Sequence, residues 1–166
     1  MTTTTTTKAT IGSISHGTLR NEDLLKTFAD ELADMQNGQW LATDTELVRE
    51  ARELLRIGPV HGDSGEWEEF ASYLINEDFT RRFNELSPPF CYFGSLEGDG
   101  ADFGFWPDHV AIGELISDSD CIKDAGPLDQ NRIYINIEEC LHIEVNDHGN
   151  VTISKIEPGE VLLSIV

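Results

Sequence analysis

PPFCYFGSLEGDGADFGFWP, residues Pro88 to Pro107, divides the chain into a helical half before it and a β-rich half after it. The two leading prolines stop a helix, because neither can donate the backbone hydrogen bond that would continue it. Phe90, Tyr92 and Phe93 stand on one side of a glycine- and aspartate-rich centre; Phe103, Phe105 and Trp106 stand on the other. Aromatic runs on either side of Gly98 and Gly100 predict two strands joined by a tight acidic turn over Glu97–Asp102. The helices are expected to pack against this hairpin.

Upstream, Ile11 to Gly17 reads as a short extended entry, with Thr18 or Asn21 placed to cap a helix. Leu24, Leu25, Phe28, Leu32 and Met35 recur at helical spacing, and Asn37–Gly38 ends that segment. Trp40 and Leu41 are then expected to dock on the core. Thr43-x-x-Glu46 has the capping-box pattern and opens a helix with Leu47, Ala51, Leu54 and Leu55 inward. Asp63-x-x-Glu66 repeats the pattern ahead of Trp67, Phe70, Ala71 and Leu74. Asn76 is placed to cap a further helix carrying Phe79, Phe83 and Leu86.

Downstream, His109 to Ile116 suits one short helix, and Ser117 to Gln130 reads as an acidic loop. Ile133, Ile135 and Ile137 alternate, as do Leu141, Ile143 and Val145, which is the period of strands. Asn146 and Gly149 suit a turn leading into Val151–Ile156, and Val161–Val166 is a last apolar strand. Helices first and strands after, without βαβ alternation, predict an α+β protein: an N-terminal helical cluster packed on a largely antiparallel C-terminal sheet. The expected organisation is a Thr-rich disordered arm over 1–10 and one domain over 11–166.

The composition is that of a globular chain with one extreme property. Hydrophobic residues make up 39%, yet 31 Asp and Glu face 11 Lys and Arg, for a net charge of −20. A body of this length is roughly 40 Å across, and that length of duplex DNA carries about 24 phosphates. The two charge densities are similar, so direct nucleic-acid binding is not expected and a basic protein surface is the fitting partner. Cys91, Cys121 and Cys140 form neither an even set nor a C-x-x-C pair, which fits a reducing cytoplasm. No apolar run reaches the ~20 residues of a membrane span.

Chemistry-bearing motifs are sparse. Glu97-Gly-Asp-Gly-Ala-Asp102 resembles a calcium loop in composition, but Ala101 breaks the alternation of ligands and no downstream Glu completes it. Asp108–His109 could join Asp99 or Asp102 at a metal, although adjacent residues diverge on regular elements. Ser13, Ser15 and His16 sit in the polar entry, where turn or capping roles are expected. There is no nucleophile elbow, no H-E-x-x-H and no phosphate loop. No catalytic residue, cofactor or resident metal is expected.

Three islands, SHGTLR at Ser15–Arg20, the Pro88–Pro107 stretch, and VNDHGNVT at Val145–Thr152, resemble a group of small uncharacterised acidic proteins encoded by phages, plasmids and other mobile elements. The resemblance implies a context in which accessory proteins block host defences, in several cases as acidic mimics of DNA. The function expected from charge and resemblance together is a non-enzymatic inhibitor of the anti-CRISPR or anti-restriction kind. It would act in the host cytoplasm on a basic nucleic-acid-binding or defence complex. Expected contact acids are Glu22, Asp23, Asp30 and Asp34, then Glu66, Glu68 and Glu69, and the turn acids Asp99 and Asp102. Tyr92 and Trp106 are the expected aromatic contacts. The alternatives are a small metal- or ligand-binding enzyme built on the Pro88–Pro107 hairpin, and an assembly protein pairing through Val161–Val166 as an exposed edge strand.

Overall fold

The apolar stripe around Phe28 forms one face of helix α1 (Asn21–Asp34) in the computed structural model, which describes residues 9–35, 41–59, 64–123, 132–146, 148–156 and 161–165. Leu24, Leu25, Phe28, Ala29 and Leu32 are buried on that face. Neither predicted cap closes its start. Arg20 holds the N-cap position with no side-chain bond, while Thr18 Oγ1 accepts from Arg20 N and donates to Asp23 Oδ2 at 2.8 Å. Helix α2 (Ala42–Ile57) begins one residue before the Thr43-x-x-Glu46 box, which puts its N-cap two residues earlier than the box does. Leu41 stands at its N-cap, exposed rather than docked, and its N–H donates to Asp44 Oδ2, 3.1 Å away. The acid three residues into a helix accepts that bond, so the chain uses Asp44 and not Glu46. Gly58, at φ +67°, ends α2 in the left-handed region that glycine alone enters freely. Asn37–Gly38, Trp40 and Asp63 lie outside the described residues.

Helix α3 (Ser64–Tyr73), a π-helical stretch (Leu74–Phe79) and helix α4 (Thr80–Leu86) follow without a break in right-handed backbone. Asn76 therefore caps nothing; it lies inside the rod, and its amide donates to Ser72 O at 2.9 Å. Thr80 Oγ1 donates to Ile75 O, five residues back, and so occupies a carbonyl within the wider turn. Ser87 ends the rod ahead of Pro88–Pro89, as predicted.

Strands β1 (Gly12–His16), β2 (Cys91–Leu96) and β3 (Asp99–Pro107) make a three-stranded sheet in the order β1-β3-β2. The turn is shorter than the sequence suggests. Only Glu97 and Gly98 form it, Gly98 at φ +89°, so Asp99 to Asp102 belong to β3. The polar entry is itself a strand, antiparallel to β3, with Gly12 opposite Phe105 and His16 opposite Asp102. Four helical and sheet elements meet at Phe28, whose ring makes edge contacts with Phe79, Phe83, Phe93 and Phe103 at 5.2–6.1 Å between centroids. Phe105 is fully buried against Phe83 and Phe93. Asn84 fastens the helical rod to the hairpin: its Oδ1 accepts from Phe93 N at 3.0 Å. The hairpin is thus the surface under the helices.

Two compact units divide the chain, Met1–Trp106 and Pro107–Val166, where the sequence reading drew one domain from residue 11. Residues 1–8 of the predicted arm lie outside the described residues, whereas Ala9 is buried and its N–H donates to Leu86 O. In the second unit, helix α5 (His109–Ser117) precedes an antiparallel meander. Its strands are β4 (Asp120–Lys123), β5 (Arg132–Asn136), β6 (Leu141–Val145), β7 (Val151–Lys155) and β8 (Val161–Ser164), in chain order across the sheet. Asn146 O accepts from Gly149 N, and Gly149 adopts φ +83°, so this turn forms as its residues dictate.

Two expectations fail in the second unit. Asp120–Lys123 is a strand and not loop, paired with β5. The alternation does not run through Ile137 as read: Ile133, Tyr134 and Ile135 are all half-buried on β5, with Tyr134 opposite buried Ile143 and Ile133 and Ile135 opposite Glu144 and His142. Ile137 lies in the β5–β6 turn and is exposed. The whole is a mixed α+β protein with antiparallel sheets.

Candidate functional site

Several acids on the first two helices are answered by bases on those helices. Arg49 pairs with Glu46, Arg56 pairs with Glu53 at 2.6 Å, and Lys26 pairs with Asp30 at 2.8 Å. Arg52 reaches from α2 to Asp30 on α1 at 3.5 Å. Lys26 first, then Arg52, holds the Asp30 carboxyl below its usual range, and Arg49 and Arg56 do the same to Glu46 and Glu53. Of the predicted contact acids on α1, Glu22 lies 3.5 Å from Arg20, and Asp23 accepts from Thr18. Asp34 is exposed and lies close enough to Glu31 to raise that carboxyl, whose partial burial is the larger cause. These acids do not form an uncompensated row.

Helix α3 differs. No Lys or Arg occurs from Ser64 to Phe79. Glu66, Glu68 and Glu69 are all exposed; Glu68 accepts from Asn21 Nδ2 at 2.8 Å, and Glu66 and Glu69 have no ion-pair partner among the described residues. Phe70 is 44% exposed, and Tyr73 is 53% exposed. Positions 66, 69, 70, 73 and 77 fall on one helical face, so Glu66, Glu69, Phe70, Tyr73 and Glu77 make an acidic and aromatic stripe. Trp67 on the opposite side is buried and donates to Leu54 O at 2.9 Å, which fixes the rotation of the helix.

The predicted turn acids are not an outward pair. Asp102 is buried, and its Oδ1 accepts from Ser13 Oγ. Asp99 is half-buried, with Oδ1 accepting from Ala101 N at 3.1 Å. His16 stands opposite, its Nδ1 3.6 Å from Asp102 Oδ2. The structure therefore brings Asp99 and Asp102 to His16, a residue assigned by sequence to a turn or cap. Strand alternation in Ser13-Ile-Ser-His16 was the signal that could have placed it. The predicted aromatic contacts are both half-buried and tied down: Tyr92 Oη donates to Ser95 O, and Trp106 Nε1 donates to Gly94 O at 3.0 Å. Asp108 is spent on capping α5, accepting from Val110 N and Ala111 N, and belongs to the second unit.

A cleft of about 230 Å³ lies between α2 and α4, with Glu46, Glu50, Asp78, Arg81 and Arg82 among its walls. Its floor is the Asp44–Arg82 pair, a bidentate fork with Nε–Oδ1 of 2.6 Å and Nη2–Oδ2 of 2.9 Å. Asp44, first among its neighbours, raises the Arg82 guanidinium, which stays charged. Arg81 is also engaged, by Asp78 and Glu85. A cleft whose cations are already committed to ion pairs is built for joining helices. Among the described residues no helix is long and apolar enough to cross a membrane. Comparison with protein-family models, with curated proteins and with solved structures yields no match.

Proposed function

We propose that this protein is a non-enzymatic acidic binding protein that uses the α3 stripe to occupy a basic nucleic-acid-binding surface. The resemblance to mobile-element proteins points to a host defence complex in the cytoplasm, inhibited in the manner of an anti-CRISPR or anti-restriction DNA mimic. The observation that carries the reading is the stripe Glu66, Glu69, Phe70, Tyr73 and Glu77 on a helical stretch that holds no Lys or Arg, whereas α2 pairs Glu46 with Arg49 and Glu53 with Arg56. From Glu66 to Glu77 is roughly 16 Å at 1.5 Å per residue. Glu66, Glu68 and Glu69 fall within about 4.5 Å of rise, with Glu77 ~12 Å further on, so the local charge density at the start of α3 is at least that of a DNA strand at 3.4 Å per charge. Phe70 and Tyr73 add ring faces that attract arginine, which abounds on such surfaces.

The test is capture of partners from host lysate at low and at ~0.5 M salt, with bound proteins identified and then challenged with duplex DNA. A DNA-binding protein released by salt, displaced by duplex, and lost with the Glu66→Gln, Glu68→Gln, Glu69→Gln variant is the expected result. A partner held equally by parent and variant, and indifferent to DNA, overturns the reading. The metal-binding alternative is favoured by one observation, the meeting of His16 with Asp99 and Asp102.

A further inference from the structure

We propose that His16, Asp99 and Asp102 form a divalent-cation site that ties strand β1 to the central hairpin, with Zn²⁺ as the preferred ion. One donor atom from each side chain lies within 4.8 Å of the other two. The His16 Nδ1 to Asp102 Oδ2 separation of 3.6 Å is too long for a hydrogen bond. It matches two ligands on one ion: bonds of ~2.0–2.2 Å at a tetrahedral angle put donor atoms about 3.4 Å apart. Asp99 and Asp102 each have Oδ1 engaged within the protein, by Ala101 N and Ser13 Oγ, which orients the carboxylates and leaves Oδ2 available.

Charge balance supports the same assignment. The chain has two buried carboxylates among the described residues, Asp44 and Asp102. Asp44 is met by the Arg82 fork. Asp102 is met by a neutral hydroxyl and by His16, whose side chain is 69% exposed, and among the described residues no Lys or Arg pairs with it. A buried carboxylate without a fixed countercharge is costly, and a cation held jointly with His16 and Asp99 supplies one. The backbone beneath is pinned. A Cβ on Gly104 would lie 2.2 Å from Gly12 O, so β1 approaches β3 as closely as glycine permits, and Gly17 N donates to Ala101 O at 3.0 Å beyond His16. One imidazole with two carboxylates suits Zn²⁺ better than Mg²⁺ or Ca²⁺, which favour all-oxygen shells. The exposure of His16 leaves the remaining coordination to water.

The experiment uses the full chain without a histidine tag, stripped with chelator, in a Cys121→Ser/Cys140→Ser background so that the exposed thiols do not capture metal. Calorimetric titration with ZnCl₂ and with MgCl₂ at pH 7.4 is expected to show one saturable Zn²⁺ site per chain and weaker Mg²⁺ binding. Affinity should fall in acid, because protons compete with the metal for its ligands. His16→Gln and Asp99→Asn, both on accessible side chains, should each weaken Zn²⁺ binding about 10-fold or more. The His16 ring resonances should shift on addition of one equivalent of Zn²⁺. Absence of saturable binding, or equal affinity in parent and His16→Gln, overturns the site.

Discussion

The Asp44–Arg82 pair allows a quantitative test of what holds the helices together. Its side chains are 4% and 11% exposed, and it joins the first turn of α2 to α4. Arg82→Met keeps most of the aliphatic stem and removes the charge. Asp44 is then buried without its cation, a situation that costs about 3–5 kcal/mol. Losing the Arg82–Glu85 contact adds little, because Glu85 is 49% exposed and such pairs are worth ~0–1 kcal/mol. Asp44→Ala/Arg82→Met removes both charges and should recover most of the loss. About 1 kcal/mol should stay missing, since Asp44 also accepts the Leu41 N–H at the start of α2. Trp40, Trp67 and Trp106 all lie in the first unit, so tryptophan fluorescence in a urea titration follows that unit alone. The reasoning is refuted if Arg82→Met costs less than ~1 kcal/mol, or if the double variant is no more stable than the single.

Phe105→Ala should destabilise the first unit by about 3–5 kcal/mol, read by the same titration, because the ring is wholly buried against Phe83 and Phe93. Gly104→Ala should cost about 1–3 kcal/mol or more, since its Cβ meets rigid backbone at Gly12 O and β1 must move. Glu31→Gln should be neutral or stabilising at pH 7. The Glu31 carboxyl is raised from its ordinary value of 4.5 by burial and by Asp34, so its ionised form is disfavoured in the fold. That penalty is present above the raised value and vanishes as pH falls below 4.5, so melting curves of parent and variant should converge at acid pH. Melting temperature should rise between 10 and about 500 mM NaCl, because screening relieves the −20 excess more than it weakens the exposed pairs; a falling curve would show that the pairs dominate.

Much of the architecture is written locally, and the departures share a cause. Leu24 to Leu32, the Pro88–Pro89 stop and the Asn146–Gly149 turn depend on side chains a few residues apart, and each forms as read. What the sequence hides is decided by partners far along the chain. Gly12–His16 looks like a polar entry because its pairing strand lies about ninety residues away at β3, and with it the link from His16 to Asp102 is lost. Ile133 and Ile135 alternate as a strand does, but only the register with β6 shows that Tyr134 is the residue beside buried Ile143. Phe70 belongs to the same apolar run as Trp67, Ala71 and Leu74, but the bond from the Trp67 indole to Leu54 O sets the helix rotation and leaves Phe70 outward. Asn76 looked like a cap because a π-helical turn has no simple periodic signature.

The placement of bases bears on why the chain is acidic. If acids served solubility alone, bases would have no reason to collect on some helices and avoid others. From Asn21 to Ile57, Lys26, Arg49, Arg52 and Arg56 each stand within reach of a carboxylate, and Arg81 and Arg82 do the same on α4. Ser64–Phe79 has none, although it exposes two aromatic rings beside its carboxylates. Exposed rings oppose solubility, so a helix shaped for solubility would not carry them. A carboxylate three or four residues from a ring instead makes a combined receptor for guanidinium: the carboxylate accepts its N–H groups and the ring face meets its plane. Lysine, a compact and strongly hydrated charge, gains less from the ring. Phe70→Ala and Tyr73→Ala should therefore weaken binding to an arginine-rich surface more than to a lysine-rich one, whereas Glu66→Gln and Glu69→Gln should weaken both alike. Surface-immobilised poly-arginine and poly-lysine peptides of equal length would show the difference directly, and equal losses on both would remove the rings from the interface.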